Sequence, residues 1–292
     1  MMPSTPHPLP YRLLGAVAGP VVLASPHSGR DYPAAFLAQT RLNVSQLRRA
    51  EDAYVDELLG GAVEAGAQLA AARYGRSFLD LNRAADELDP AMFVDSQKSA
   101  GNHVNERVAA GLGVLPRIAG HGLEIYAGRL TLAEAGARIE AVHRPWHDLL
   151  DQLTSEALVR HGHVVLLDCH SMPTPVTPYG SAAPQFVLGD LHGQSAAPAL
   201  VSAIERSLTL DGWRVVRNQP YAGGYTTARH GRPSAGVHTV QIEIDRALYM
   251  DPARLTPHGG FNRIAASLRR IVELLLRDSH GLGLMPFAEA AE

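Results

Sequence analysis

The chain has 292 residues, of which 46% are hydrophobic and 19% are charged, and this composition excludes an intrinsically disordered chain. Its formal net charge of −3 provides no basic surplus for binding nucleic acid or anionic lipid. The single Cys169 excludes an internal disulfide framework and any metal site made of several cysteines, so a metal site would have to use His, Asp and Glu.

The most apolar stretch near the N-terminus, Leu13 to Ala24, is too short for a transmembrane helix and is broken by Gly15, Gly19 and Pro20. It could also be read as the core of a signal peptide. The segment before it carries only one basic residue, Arg12, which argues against that interpretation. We therefore expect a cytoplasmic enzyme.

The first half of the chain predicts three strands, one long helix and an irregular segment. Residues Pro20 to Ser25 form an apolar run typical of a buried strand. Apolar residues recur at three- to four-residue spacing from Ser45 to Ala65, which predicts a helix with Ser45 as its N-cap. Further strands are predicted at Ala67 to Arg73 and Ser77 to Leu81. Residues from about 84 to 130 lack clear periodicity, and long excursions of this kind are often functional.

The second half predicts alternating helices and strands. A helix from Thr131 to His161 should be interrupted at Pro145, and His163 to Asp168 has the continuous apolar run of a central strand. The remaining predicted elements are strands at Gln185 to Leu188, Trp213 to Val216 and Val237 to Ile244, and helices at Ser195 to Leu208 and Phe261 to Leu276. This alternation predicts an α/β fold with helices on both faces of the sheet, organised as one domain over residues 1–292.

Common catalytic motifs are missing from the sequence. It contains no G-x-S-x-G elbow, no H-E-x-x-H zinc motif and no Walker loop. Cys169 is a lone thiol at the end of an apolar strand, and we favour a buried structural role for it over a nucleophile.

Histidines follow two of the predicted strands at the points where the strands end. His27 lies in the run Pro26-His-Ser-Gly29, and His170 lies in Asp168-Cys-His-Ser171. Ligands of α/β proteins collect at the carboxyl ends of strands. Two imidazoles at that edge, completed by a carboxylate, would form a three-ligand metal site with one open position. Two separate capping or solvent-facing histidines are the alternative.

The candidate carboxylates occur in two places. Glu51, Asp52 and Asp56 lie on the predicted helix, where Asp52 and Asp56 share a face, and a solvated acidic face is the alternative. Glu243 lies inside an apolar strand, where an ionised carboxylate is costly unless it has a partner. We interpret Glu243 as a general base, with a structural ion pair as the alternative.

Three further segments are candidates for substrate contacts. Arg83 follows a predicted strand, where its guanidinium could form a bidentate pair with a carboxylate or a structural salt bridge. His143 and His147 have the i,i+4 spacing of helical metal ligands, but Pro145 lies between them, so we favour a substrate contact for His147. A flexible loop with a polar edge is formed by Gly223-Gly224-Tyr225-Thr226 together with Arg229.

Six motifs in one order make the chain resemble a known family over about residues 20 to 250. They are Pro26-His-Ser-Gly29, Glu51-Asp-Ala-Tyr-Val-Asp56, Asp80-Leu-Asn-Arg83, Asp168-Cys-His-Ser171, Gly223-Gly-Tyr-Thr226 and His238-Thr-Val-Gln-Ile-Glu243. The same order is seen in N-formylglutamate amidohydrolases, also called N-formylglutamate deformylases. Each motif is weak singly, but six with sensible spacing are a specific signal.

The resemblance implies a phosphorylase/hydrolase-like α/β fold, with a mixed sheet flanked by helices on both faces. This fold is shared with zinc carboxypeptidases, aspartoacylases and zinc-dependent muramoyl amidases. The implied activity is metal-dependent hydrolysis of the amide bond of a small N-acyl amino acid, namely N-formyl-L-glutamate, to L-glutamate and formate. The implied cofactor is one divalent metal ion, zinc.

Matching the family's motifs to this chain assigns roles to its residues. His27 and His170 would be metal ligands and Asp52 the acidic ligand, while Glu243 would match the catalytic glutamate of the wider superfamily. Glu51 remains a second candidate for the acidic ligand. The family usually has an Asp on each side of one residue at this place, whereas this chain has Ala50-Glu51-Asp52. Asn82 and Arg83 resemble the pair that holds the substrate carboxylate in aspartoacylases and carboxypeptidases.

The chain departs from the family pattern in two places. It has His143-Arg-Pro-Trp-His147 where the family often has Tyr-x-Pro-Tyr-His, and residues 84 to 128 differ most from a typical deformylase. Two other functions therefore stay open. One is a zinc amidase or carboxypeptidase-like hydrolase acting on another N-acyl amino acid or a peptidoglycan-like amide. The other is a non-catalytic anion-binding protein, and a serine or cysteine hydrolase is a more distant third.

Overall fold

The structure is a computed structural model that describes residues 8–16, 19–96, 105–175 and 182–285. The strands are β1 (Tyr11–Leu14), β2 (Val21–Ser25), β3 (Gln68–Ala72), β4 (Ile118–Ala119), β5 (Leu123–Glu124), β6 (Val164–Met172), β7 (Phe186–Gly189), β8 (Val215–Arg217), β9 (Val237–Asp245), β10 (Met250–Asp251) and β11 (Thr256–Pro257). The α-helices are α1 (Ala34–Leu37), α2 (Val44–Leu47), α3 (Val55–Leu58), α4 (Gly60–Glu64), α5 (Glu106–Ala109), α6 (Leu132–Arg138), α7 (Arg144–His161), α8 (Pro198–Leu210), α9 (Tyr225–His230) and α10 (Phe261–Asp278).

The main sheet is mixed and has seven strands in the order β1-β3-β2-β6-β9-β7-β8. Its four central strands, β3, β2, β6 and β9, run parallel to one another. The outer strands reverse direction, because β1 is antiparallel to β3, and β7, which is parallel to β8, is antiparallel to β9. The parallel centre therefore brings the carboxyl ends of four strands to one edge of the sheet.

Two hydrophobic cores lie on opposite faces of this sheet. Val21 and Leu23 of β2 belong to one core, which also contains apolar residues of α3, α4, α8 and α10. Val22 and Ala24 belong to the other core, which contains Trp146 of α7. Successive strand residues point to opposite faces, so each face is covered by helices. The predicted α/β class, with a mixed sheet between helices, is confirmed. None of the helices in the described part of the chain is both long and apolar enough to cross a membrane.

The single helix predicted from Ser45 to Ala65 is wrong. Helix α2 is capped by Asn43, not Ser45, through a reciprocal pair of hydrogen bonds with Gln46. The chain then leaves the helix before α3, and Tyr54 adopts a left-handed conformation with φ 68°. The apolar spacing is the same on both sides of this break, so periodicity could not reveal it. The break lets the Asp52 backbone N–H donate a hydrogen bond to His27 O, at 2.9 Å.

The strand predicted at Ser77 to Leu81 is also wrong. This segment runs through turns after β3, and the Asp80 N–H bonds to Val114 O of the excursion at 2.8 Å. The Asp80 carboxylate accepts a hydrogen bond from the Asn82 N–H at 2.9 Å, which closes a local turn and competes with strand formation. Conversely, β1 has no counterpart among the predicted strands.

Two other elements differ from their predictions only in detail. The predicted interruption at Pro145 is confirmed as a π-helical turn, Ile139–His143, between α6 and α7. Proline lacks the N–H that an α-helix needs at this point, and a wider turn accommodates it. Strand β6 extends through Met172 because all nine of its residues pair with β9, so His170 lies within the strand and not after it.

Candidate metal centre and cavity

The parallel centre of the sheet places three predicted site residues at one edge. His27 follows β2, and His170 of β6 lies directly opposite Glu243 of β9 in the strand register. His27 and His170 are each 2% exposed and Glu243 is 8% exposed. Residues from distant parts of the chain meet here because parallel strands end at the same edge.

The break between α2 and α3 delivers Asp52 to the two histidines. Glu51, the other acid that the sequence left open, points away from them. Its carboxylate accepts hydrogen bonds from Tyr32 Oη at 2.7 Å and from Arg48 Nε at 3.0 Å. Of the two acids, the structure therefore brings Asp52, and not Glu51, to the histidine pair.

Three potential ligand atoms form a small triangle. His27 Nδ1 and His170 Nδ1 are 3.1 Å apart, and Asp52 Oδ2 lies 3.1 Å from His170 Nδ1 and 3.4 Å from His27 Nδ1. Ligands about 2.0–2.1 Å from a tetrahedral zinc ion lie about 3.3–3.4 Å from one another. The triangle thus has the dimensions of one face of a tetrahedral coordination shell, and these three residues could hold a metal ion.

An acidic side chain faces the second nitrogen of each imidazole ring. His27 Nε2 lies 2.7 Å from Asp80 Oδ1, and His170 Nε2 lies 3.0 Å from Asp168 Oδ2. Metal-bound histidines usually donate their other ring N–H to such a partner, which orients the ring. Both acids occur in motifs quoted from the sequence, but the sequence analysis gave them no role. Both Nδ1 atoms face the common point, but the surroundings of the two Nε2 atoms differ, because His170 Nε2 also lies 3.2 Å from Asn82 Nδ2.

Neighbouring groups keep Asp52 ionised. Burial opposes ionisation, but hydrogen bonds and charges from His170 and His27 hold the pKa of Asp52 well below its ordinary value. Its other oxygen accepts hydrogen bonds from Ser171 Oγ at 3.1 Å and Arg246 Nη2 at 3.3 Å. Sequence reasoning missed Arg246, whose only signal is its position directly after β9.

The pKa of the buried Glu243 carboxylate moves upward. Burial, followed by the negative charges of Asp52 and Asp168, raises the pKa of Glu243 to about 7, although His170 and Arg76 oppose the shift. Gln241 Nε2 donates a hydrogen bond to Glu243 Oε1 at 3.0 Å. A carboxylate that titrates near neutral pH can both accept and return a proton, as a general base requires.

A cavity of about 460 Å³ opens onto the His–Asp–His group. Asn82, Arg83 and Gly224 line it, as predicted for substrate contacts. Asn82 Oδ1 accepts a hydrogen bond from the Thr226 N–H at 2.8 Å, which fixes the amide. A Cβ on Gly224 would lie 2.4 Å from Asn82 Nδ2, so only glycine permits this close approach.

The structure does not bring four other predicted contacts to the cavity wall. They are His147, Tyr225, Thr226 and Arg229. Thr226 is buried behind Asn82, and the exposed Arg229 donates a hydrogen bond to Asp151 at 2.7 Å. The Tyr225 ring packs against His147, with ring centroids 5.0 Å apart.

His143 and His147 lie behind the site and hold its backbone. His147 Nε2–H donates to Leu81 O at 3.0 Å, and His143 Nε2–H donates to Arg83 O at 2.8 Å. The two carbonyls flank Asn82, so the histidines support the segment that carries Asn82 and Arg83. His147 therefore makes a structural contact where the sequence suggested a substrate contact.

The burial of His147 predicts a loss of stability in acid. Burial and the neighbouring His143 and His230 lower the pKa of His147 well below its ordinary value. In the unfolded chain His147 takes up a proton below about pH 6.5, which costs the folded state about 1.4 kcal/mol for each further pH unit. In urea unfolding at pH 7, 6 and 5, we expect His147→Gln to lose less stability on acidification than the wild type.

Replacement of an exposed histidine provides the matched comparison for this experiment. His258 is exposed, and His258→Gln is measured beside His147→Gln as the comparison for loss of a surface histidine. Equal slopes for His147→Gln and the wild type would show that folding does not shift the pKa of His147.

Sequence reasoning also missed Arg76. Its Nε donates a hydrogen bond to Asp80 Oδ2 at 2.9 Å, so it fixes the carboxylate that orients His27. The usable signal was its spacing, four residues before Asp80 in the same segment. The irregular excursion supplies another wall of the cavity, through Arg107, Leu112, Pro116, Ile118, Ala119, Gly120 and Gly122.

Cys169 has the structural role predicted for it. Its side chain belongs to the core that covers one face of the sheet. Burial raises the pKa of the thiol, so a thiolate nucleophile is not formed there.

Taken together, the fold and the site define an α/β protein in which a buried His–Asp–His group and a carboxylate of raised pKa open into one cavity. The family model for N-formylglutamate amidohydrolase matches residues 19–250. The chain belongs to this family, and the resemblance drawn from its six motifs is confirmed.

Individual relatives agree with the family match. The N-formylglutamate deformylase of Pseudomonas aeruginosa is 28% identical over 263 residues, which cover 88% of this chain and 91% of the relative. The enzyme of the same name from Pseudomonas putida is 25% identical over 236 residues, covering 80% and 82%. The crystal structure of N-formylglutamate amidohydrolase from Ralstonia eutropha JMP134 has a TM-score of 0.86 and 33% identity, covering 93% of this chain and 99% of that chain.

Proposed function

We propose that this protein hydrolyses N-formyl-L-glutamate to L-glutamate and formate with the help of one divalent metal ion. Membership of the family and the names of its relatives support the reaction and the substrate. The observation that carries the metal dependence is the triangle of His27 Nδ1, Asp52 Oδ2 and His170 Nδ1, with edges of 3.1, 3.1 and 3.4 Å. The cytoplasmic location expected from the sequence is part of this proposal.

His27, Asp52 and His170 would hold the metal ion. Two imidazoles and one carboxylate form a donor set typical of catalytic zinc, which leaves the fourth position to water or substrate. When bound, such an ion polarises the amide carbonyl and lowers the pKa of water to about 7. Asp80, 2.7 Å from His27 Nε2, and Asp168, 3.0 Å from His170 Nε2, would orient the two rings for binding through Nδ1.

Glu243 would move the proton during hydrolysis. It takes a proton from the attacking water and returns it to the amide nitrogen as the C–N bond breaks, so that the amino acid leaves as an amine. Its pKa of about 7 suits both steps. Gln241, hydrogen-bonded to Glu243 Oε1, restricts the orientation of the carboxylate.

Asn82 and Arg83 would orient the substrate. Arg83 Nε is held by Leu112 O at 2.9 Å, which leaves the end of the guanidinium available to a substrate carboxylate. Holding the carboxylate in one place reduces the entropy lost on reaching the transition state. Because Asn82 is fixed by the Thr226 N–H, this part of the site is formed before substrate binds.

Removal and return of the metal test the proposal. Formate release from N-formyl-L-glutamate should disappear after chelation and return when zinc is added, with the metal content measured at each step. Unchanged turnover in metal-free protein would contradict the proposed role of the metal. A panel of N-formyl and N-acetyl amino acids separates this function from its rivals. Preference for an N-acetyl substrate would indicate a different amidase, and folded protein without metal or turnover would indicate an anion-binding protein.

A further inference from the structure

The cavity is lined by more arginines than carboxylates. Among the described residues that line it, the carboxylates are Asp52, Asp80 and Glu243, and the arginines are Arg49, Arg76, Arg83, Arg107 and Arg246. Two of the arginines are already paired: Arg76 donates to Asp80 and Arg246 donates to Asp52. Arg83 Nε also lies 3.9 Å from Asp80 Oδ2, so it shares this carboxylate with Arg76. Positive charge is therefore left over on Arg49 and Arg107, and an anionic ligand would neutralise it.

Arg49 and Arg107 are the positively charged residues at the outer, exposed end of the cavity. Both side chains are exposed at the cavity, and neither has a hydrogen bond or ion pair to another residue in the described part of the chain. Arg49 follows α2, whereas Arg107 belongs to the excursion, and the two segments are in contact at Gly120. A Cβ on Gly120 would lie 3.1 Å from Arg49 O and Cβ, so the excursion that carries Arg107 packs tightly against the Arg49 backbone.

Arg83 is buried deeper in the cavity, and the charges of neighbouring arginines change its pKa. Burial lowers the pKa of Arg83, and the nearby cations Arg76 and Arg107 lower it further, against the attraction of Asp80. Positive charges gathered around a cavity with low-dielectric walls attract anions and repel cations. A substrate with one carboxylate would neutralise Arg83 alone and would leave Arg49 and Arg107 unmatched.

We propose that Arg49 and Arg107 at the cavity mouth bind the side-chain carboxylate of the substrate and thereby select N-acyl derivatives of dicarboxylic amino acids. This inference rests on the proposed function and assigns its specificity to two residues outside the family motifs. The second carboxylate lies deeper, on Arg83, so the two anionic ends of one ligand meet separate cations. Because Arg107 belongs to the excursion, that segment would determine the choice of side chain.

Two substrates that differ by one charge test the proposal. N-formyl-L-glutamine has nearly the same shape as N-formyl-L-glutamate but carries a neutral amide on its side chain. A charge-assisted hydrogen bond contributes about 1.5 kcal/mol, which is about tenfold in an equilibrium constant. Arg107→Gln and Arg49→Gln should each lower kcat/KM for the glutamate substrate by about tenfold, with little effect on the glutamine substrate.

The loss should appear mainly in KM. A carboxylate remote from the reacting bond is bound equally in the ground state and the transition state, so kcat should change little. Arg107→Lys keeps the charge and should retain most of the preference. Arg206→Gln removes an exposed arginine of α8 that does not line the cavity, and it should leave both substrates unaffected.

Calorimetric binding of the same two compounds separates failure of this inference from failure of the proposed function. A wild type that binds N-formylglutamate more tightly through Arg107, yet releases no formate, would overturn the function and keep the inference. A wild type that hydrolyses N-formylglutamate, with Arg49→Gln and Arg107→Gln affecting both substrates equally or not at all, would overturn the inference alone. Absence of both turnover and binding would overturn both.

Discussion

Replacing Glu243 with glutamine is expected to lower kcat for N-formylglutamate hydrolysis by about 10²–10⁴-fold, while the metal content stays unchanged. Glutamine has nearly the shape of glutamate and can keep its contact with Gln241, but it cannot take a proton from water. Because Glu243 is not one of the three triangle residues, the ion should remain bound. Formate release and elemental analysis on the same preparation measure both quantities.

A second glutamate provides the control for this substitution. Glu156 is exposed on α7, far in sequence from every site motif, and Glu156→Gln should retain full activity. Near-normal turnover of Glu243→Gln with its metal in place would remove Glu243 from the mechanism. Loss of metal from this variant would instead show that the carboxylate helps to hold the ion.

Replacing His170 with alanine is expected to remove the metal ion and to lower activity by on the order of 10³-fold or more. The substitution deletes one of three ligands and leaves only His27 and Asp52 at the site. It also removes a partner of the buried Asp52 carboxylate, so the free energy of unfolding should fall. Metal content, turnover and urea unfolding together describe the result.

Two further variants make the His170 result interpretable. Asp52→Asn preserves the size of the side chain but removes the charge that attracts a cation, so it should also lose metal while disturbing packing less. His258→Ala, an exposed histidine whose ring donates to Ala247 O, should keep both metal and activity. Full metal content in folded His170→Ala protein would refute the assignment of His170 as a ligand.

The sequence predicted the structure correctly where a single local pattern, such as a continuous apolar run, is enough to specify an element. The apolar runs of β2 and β6 predicted buried strands, because buried parallel strands are apolar on both faces. The positions of His27 and His170 relative to the runs of β2 and β6 then predicted that both lie at the carboxyl edge of the sheet. The motif order also predicted the family correctly, since six spaced motifs retain information that one motif lacks.

The sequence was misleading where local pattern and tertiary contact compete. Spacing of apolar residues predicted one helix from Ser45 to Ala65, yet the chain breaks there so that Asp52 can reach His27. Likewise, Ser77 to Leu81 has the composition of a strand, but hydrogen bonds of Asp80 with Val114 and Asn82 hold it in turns. In both cases, the departure from regular structure positions a site side chain.

By itself, the sequence determined the α/β class and the family, and it predicted His27 and His170 as candidate ligands and Glu243 as a buried candidate base. Each of these depends on residue type and on order along the chain. Only the tertiary structure decided that Asp52 rather than Glu51 faces the histidines, that Arg229 pairs with Asp151, and that Arg49 and Arg107 share one cavity mouth. The physical reason is distance. A side chain pairs with whichever residues the folded chain brings within a few ångströms of it, and for irregular segments the spacing along the sequence does not predict which residues those are.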